Sequence, residues 1–196
     1  VVTPLAVDSG HPFPFLTNHT INAIVRIFQI QPDGTKDYKI AILPIPSVLD
    51  RIIEIPSRGN KEHRFVYLED VITYYANQFF QGYGIEDYMV FRITRDADLE
   101  IDEEEATDLL SEVEASLRRR RRGDAVRLEV CGEVKDDLLD FVLTSVELEP
   151  KDVYRIDGHL DCRMYFNFCN YPGLDQLRYV PFEPKLPSEL VNHEGE

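Results

Sequence analysis

The sequence has 196 residues and is 43% hydrophobic, enough for one domain with a full core or two small ones. Its formal net charge of -15 argues against general binding to nucleic acid or anionic lipid. No run approaches the roughly 18 apolar residues of a membrane span, and no signal peptide opens the chain. The first residue is Val rather than Met, which reads as a segment of a longer protein.

Residues 1–19 form a lead-in punctuated by Pro4, Pro12 and Pro14, which forbid regular helix or central strand. Phe13, Phe15 and Leu16 are placed to anchor it to the core. TINAIVRIFQI (20–30) and YKIAILPI (38–45) are rich in branched residues and predict two strands. Between them QPDGTKD is a turn, so the two strands form an antiparallel hairpin. SVLDRIIEIP (47–56) predicts a short helix or turn between Pro46 and Pro56, followed by a polar loop over 57–64. FVYLEDVITYYANQFF begins as a strand and continues as a helix, with Leu68, Val71, Ile72, Tyr75 and Phe79 at helical spacing. Its Tyr74, Tyr75, Phe79 and Phe80 suit core packing, with a subunit interface as the other reading.

The stretch from Tyr88 to Val130 organises the rest. Met89, Phe91 and Ile93 alternate on one face of a strand, and Val126, Leu128 and Val130 on one face of a second. Between them Ala106, Leu109, Leu110, Val113 and Leu117 make the apolar stripe of a long helix. A helical connection of this length predicts parallel strands joined by a right-handed crossover. Asp102 to Glu105 crowd the helix start and Arg118 to Arg122 its end, each favourable charge contributing about 0.3–1 kcal/mol through the helix dipole. Gly123 is placed to stop the helix in a left-handed turn. A second amphipathic helix follows over about 134–147, with Val134, Leu138, Leu139, Val142 and Val146 inward. VYRI (153–156) predicts a strand, GHLDCRMYFNFCNY a helix, and the stretch holding Pro181, Pro184 and Pro187 an extended linker. The order predicts a single α+β domain, a mixed sheet with helices packed mainly on one face; a three-layer α/β arrangement with both faces covered is the alternative.

Chemistry is harder to find. No phosphate-binding glycine loop, nucleophile elbow or HExxH pattern is present. Five histidines are scattered through loops and ends, and Cys131, Cys162 and Cys169 lack metal spacing, so buried, reduced thiols of a cytoplasmic chain are expected. The acidic run suits helix capping better than Mg²⁺ binding. Arg95 at a strand end could clamp a phosphate, but pairing with neighbouring acids to fix the loop is the stronger expectation. Arg118, Arg119, Arg120, Arg121 and Arg122 are the best candidates for anion or subunit contact, against a default of a solvated helix end.

HPFPF, ILPIP, FVYLEDVI, FRITRDADLEIDEEEA, the LRRRR-to-RLEV segment, VYRIDGHLD and PFEP occur here in one order. Together they resemble the middle, or head, domain of the long-chain bacterial polyphosphate kinases, over essentially the whole chain. The resemblance implies a lead-in at 1–19, a head domain at 20–172 and a linker at 173–196 toward phospholipase-D-like catalytic domains. It implies a parent enzyme that reversibly transfers the terminal phosphate of ATP to polyphosphate, with Mg²⁺ and a phosphohistidine intermediate. In the family the acceptor histidine lies downstream, so no catalytic residue, metal site or bound cofactor is expected in this chain. The implied role is structural, with the rest of the kinase chain and a second subunit as partners. Polyphosphate contact remains open, because the net charge would repel it except at a local basic patch. The implied location is cytoplasmic, with a parent able to associate with membrane. Two other readings stand beside it: a free-standing anion-binding module using the arginine run, and a pure oligomerisation module.

Overall fold

Branched and aromatic residues at alternating positions build the centre of a six-stranded sheet. The structure, a computed structural model, describes residues 2–56, 63–96, 123–132 and 134–185. Its sheet has the order β1-β3-β2-β6-β7-β8, from β1 (Leu5–Val7), β2 (Ile21–Ile30), β3 (Lys36–Pro44), β6 (Gly84–Arg95), β7 (Ala125–Cys131) and β8 (Val153–Ile156). β4 (Ile52–Ile55) and β5 (Arg64–Tyr67) form a separate two-stranded hairpin. Among the described residues the α-helices are α1 (Leu68–Tyr74), α2 (Asp136–Val146) and α3 (Met164–Phe168). The chain divides into two units, Val1–Cys162 and Arg163–Glu196.

In the first unit, each face of the sheet buries its own apolar cluster. Ile24, Ile42, Met89, Phe91, Ile93, Leu128 and Val130 meet Leu138, Leu139, Val142 and Leu143 of α2. The alternate residues Ala23, Val25, Ile27, Ala41 and Leu43 meet Leu68 and Ile72 of α1, with Ala76 and Phe80 just beyond it. The side-chain period of two separates these sets. The mixed α+β sheet is the expected one, and its helices are shared between the faces: α2 on one, the shorter α1 on the other. Fully burying each large aliphatic or aromatic side chain contributes about 1.5–3 kcal/mol.

The expected β2–β3 hairpin is present in register, with Ile24 opposite Ile42. The expected parallel pairing across residues 88–130 is not. β6 and β7 are antiparallel, with Phe91 opposite Val130 and Arg95 opposite Ala125. The chain leaves and re-enters at the same end of the sheet, where the Asp96 N–H donates to the Asp124 carbonyl at 2.8 Å. A long connection permits a crossover but does not require one. The parallel β-α-β unit lies one step further on, where β7 and β8 pair in parallel around α2. Gly123 also has another role than expected, since its backbone is not left-handed. A Cβ there would lie 1.9 Å from the Asp96 carbonyl oxygen, so glycine permits the close approach of the two chains. The acidic run Asp102 to Glu105, the apolar stripe from Ala106 to Leu117, and the loop residues 57–62 lie outside the described residues.

Two short segments also differ. Residues 47–49 turn as expected, but Ile52–Ile55 is a strand rather than helix, because its isoleucines pair antiparallel with Tyr67, Val66 and Arg64. The aromatic element splits its roles: Phe80 is buried while Tyr74 and Tyr75 are exposed. In the second unit, the helix expected to run from residue 158 is confined to Met164–Phe168. There Phe168 packs edge-on to Tyr165 and beside Tyr171, while Tyr179, Val180 and Phe182 are exposed. Cys162 and Cys169 are exposed rather than buried. Cys131 alone is half-buried, its thiol donating to the Gly158 carbonyl at 2.7 Å.

Candidate functional site

The α1 face of the sheet carries charged side chains where apolar ones would be expected. Arg92 and Glu129 are register partners on β6 and β7. Both point to the α1 side, since Met89, Phe91, Leu128 and Val130 point to the other. Glu129 is 6% exposed and accepts from the Arg92 guanidinium in a short ion pair. Its other oxygen accepts from Arg127 at 2.9 Å, and the Arg127 guanidinium stacks 4.0 Å from the Tyr154 ring. Arg92 also lies 3.4 Å from the Asp161 carboxylate.

Asp161 joins this group to a second one. Its backbone carbonyl accepts from Arg51 Nη1 at 2.7 Å. Arg51 stands just before β4, and its Nε donates to Glu69 at 3.0 and 3.1 Å. Glu69, on the first turn of α1, is 3% exposed. His159 lies 3.8 Å from Glu69 and stacks on Tyr67, ring centroids 3.4 Å apart. The network therefore holds Arg51, Arg92 and Arg127 against Glu69, Glu129 and Asp161, three cations and three anions. It ties the start of β4, α1, β6, β7 and the loop after β8 into one body. Such bidentate arginine–carboxylate geometry fixes position as well as charge.

Arg95 occupies a different place, at the α2 side of the sheet end. Its Nε donates to the Leu16 carbonyl and its Nη1 to the Gly123 carbonyl, each at 2.9 Å. Its guanidinium lies 4.2 Å above the Phe15 ring, and burial lowers its pKa from the ordinary arginine value. It thus clamps loop carbonyls rather than the neighbouring acids. A cleft of about 400 Å³ opens beside it, but Asp124 and Glu147 line that cleft too. Phe13 and Leu16 anchor the lead-in to the α2-side core, while Phe15 is half exposed under Arg95. Arg118 to Arg122 lie outside the described residues. Among the described residues, no three His, Cys, Asp or Glu side chains gather to hold a metal ion.

A family model described as polyphosphate kinase middle domain matches residues 1–168. The chain belongs to this family. It is 35% identical to the polyphosphate kinase of Pseudomonas putida over 193 residues, covering 98% of this chain and 26% of that protein. It is 40% identical to the polyphosphate kinase of Staphylococcus haemolyticus over 195 residues, with the same coverage of 98% and 26%. The chain thus spans about a quarter of the length of these relatives. The crystal structure of polyphosphate kinase from Porphyromonas gingivalis shares the fold, with a TM-score of 0.71 at 21% identity over 98% of this chain and 26% of that one.

Within this middle domain, the segments that carried the resemblance supply every charged member of the network except Arg51. FVYLEDVI holds Tyr67 and Glu69, FRITRDAD holds Arg92, RLEV holds Arg127 and Glu129, and VYRIDGHLD holds His159 and Asp161. Sequence reasoning missed the network because charges in strands read as solvated edges. The available signal was a charge on each of two strands, at positions flanked by residues destined for the core.

Proposed function

We propose that this middle domain is a non-catalytic support within a polyphosphate kinase. The parent enzyme would transfer the terminal phosphate of ATP to polyphosphate through a phosphohistidine, and the domain would hold its catalytic parts in place and contribute to a dimer. One observation carries this reading: Glu69, Arg92, Arg127, Glu129 and Asp161 of the signature segments, joined by Arg51, are engaged with one another in balanced number rather than directed at a cavity. A rigid body suits an enzyme whose phosphoryl transfer depends on positioning and charge stabilisation.

The described residues do not fit a Mg²⁺–nucleotide site. Their carboxylates form no metal cluster, and two of the guanidinium nitrogens of Arg95 are engaged by carbonyls. No chemical step is therefore assigned to this chain, and ATP and Mg²⁺ belong to the proposed parent. The test is direct. The purified 196-residue chain, given ATP, Mg²⁺ and a polyphosphate primer, is expected to lengthen no polyphosphate. Measurable ATP-dependent synthesis overturns the support role, and a monomer by light scattering at all concentrations removes the dimer contribution of this domain.

A further inference from the structure

β6 has 12 residues and its partner β7 only 7. It pairs with β2 from Gly84 to Arg92, but with β7 only from Val90 to Arg95. β7 stops opposite Val90 because Gly132, with φ of 78°, turns the chain toward α2. Residues 84–89 therefore have a strand on one side and, among the described residues, no strand on the other. Half of their backbone N–H and C=O groups face the open side, as the antiparallel pattern requires.

That open edge is a groove rather than a rim. A cleft of about 520 Å³ runs beside it, lined by Asp70 and Thr73 of α1, Ile85 and Tyr88 of β6, and Gly132 and Lys135 before α2. Other strands also have open edges, among them part of β3 and the outer strand β8, and these two differ from it. β3 extends beyond β1 through Lys36–Lys39, all exposed and fringed with lysine, which deters pairing. β8 is a four-residue outer strand.

Acidic residues outnumber basic ones in the lining, with Asp70 of α1 and Glu86 and Asp87 of β6 against Lys135; Asp87, in step with Met89 along β6, sits with Arg26 on the α2 side. Asp87 Oδ1 is buried without a hydrogen-bond partner, and Asp70 makes no ion pair among the described residues. Partial burial of its carboxyl raises the Asp70 pKa, and nearby His159 and Arg51 act against that rise. Lys135 is the one cation among the lining residues, at the α2 end, while Glu86 is bound by Lys36 and Asp87 lies 3.8 Å from Arg26.

We propose that the open edge of β6 at residues 84–89 accepts an added strand from a partner polypeptide whose extended segment carries basic side chains at alternate positions. The backbone groups of the open edge supply affinity, and the alternate side chains of the added strand supply selectivity by reaching Asp70. The probe is a blocked peptide, Thr-Lys-Val-Lys-Val-Lys-Thr, with the same peptide bearing Glu for Lys as control. Amide hydrogen exchange of residues 84–89 in the full chain is expected to slow with the lysine peptide and to stay unchanged with the glutamate one. Asp70→Lys, at an exposed position, is expected to weaken lysine-peptide binding about tenfold with an unchanged far-UV spectrum. Equal binding of both peptides, or protection confined to other segments, overturns the proposal. So does protection of 84–89 without peptide that disappears on dilution, because a second copy of the chain would then be the occupant.

Discussion

Replacing Glu69 by Gln tests whether the charged network braces the domain. The change keeps side-chain shape and removes one charge. Glu69 is 3% exposed, and its partner Arg51 has 14% of its side chain exposed, so water cannot substitute for the lost carboxylate. Breaking a buried pair by removing one partner costs about 3–5 kcal/mol. Arg51 keeps its bond to the Asp161 carbonyl, which places the expected loss at the low end, about 3 kcal/mol. For a domain of this size that lowers the melting temperature by about 6–12 °C. Urea unfolding followed by circular dichroism reads the free energy directly. Arg51→Met combined with Glu69→Leu removes both charges and should cost less than the two single changes added, with a coupling of about 1–3 kcal/mol. Glu69→Gln within about 0.5 kcal/mol of the parent sequence, or strict additivity in the double variant, would refute the brace.

Gly123→Ala is expected to destabilise by about 2–3 kcal/mol, because its Cβ would meet the Asp96 carbonyl oxygen at 1.9 Å and force apart the backbones that join β6 to β7; a melting temperature equal to that of the parent sequence contradicts this. Asp137 gives a pH signature. The hydrogen bond from Arg26, the larger cause, together with its charge, holds the Asp137 carboxyl below its ordinary value of 3.8. A carboxyl depressed in the folded state stabilises above its unfolded pKa, and that contribution is lost as pH falls through the folded one. Asp137→Asn should therefore be less stable than the parent sequence at neutral pH, with the gap closing as acidification proceeds below 3.8. Urea midpoints across an acid series measure it, and a gap that stays constant into acid counts against the Arg26 pairing.

Strand positions were legible because alternation is a local property. Met89, Phe91 and Ile93 must share a face whatever β6 pairs with, and the turn at Asp33-Gly34 leaves β2 and β3 little choice but a hairpin. Pairing direction is not local. The stretch between Arg95 and Ala125 is long enough for either outcome, and the decision rests on contacts that bring Asp96 and Asp124 together. Ile52–Ile55 is hidden for a related reason: a strand of four residues carries too little periodicity, and its partner β5 lies beyond a polar loop. The network was invisible because each member is ordinary alone. Arg51, Glu69 and Asp161 lie 110 positions apart from first to last, and only folding shows that they neutralise one another.

Glu69 and Asp70 are adjacent on α1 but serve different sides of it. Glu69 is buried in the network, whereas Asp70 is exposed and walls the groove beside β6. α1 has only seven residues and no side-chain N-cap bond, so its placement rests on Leu68 and Ile72 in the core and on the Arg51–Glu69 pair. A loosened network should then shift the groove wall as well. Glu69→Gln is accordingly expected to lower stability and weaken the lysine peptide together, whereas Asp70→Lys weakens the peptide alone. If Glu69→Gln lowers stability while peptide affinity stays at the level of the parent sequence, the groove wall is held by the apolar contacts of α1, and the network braces only the strands beneath it.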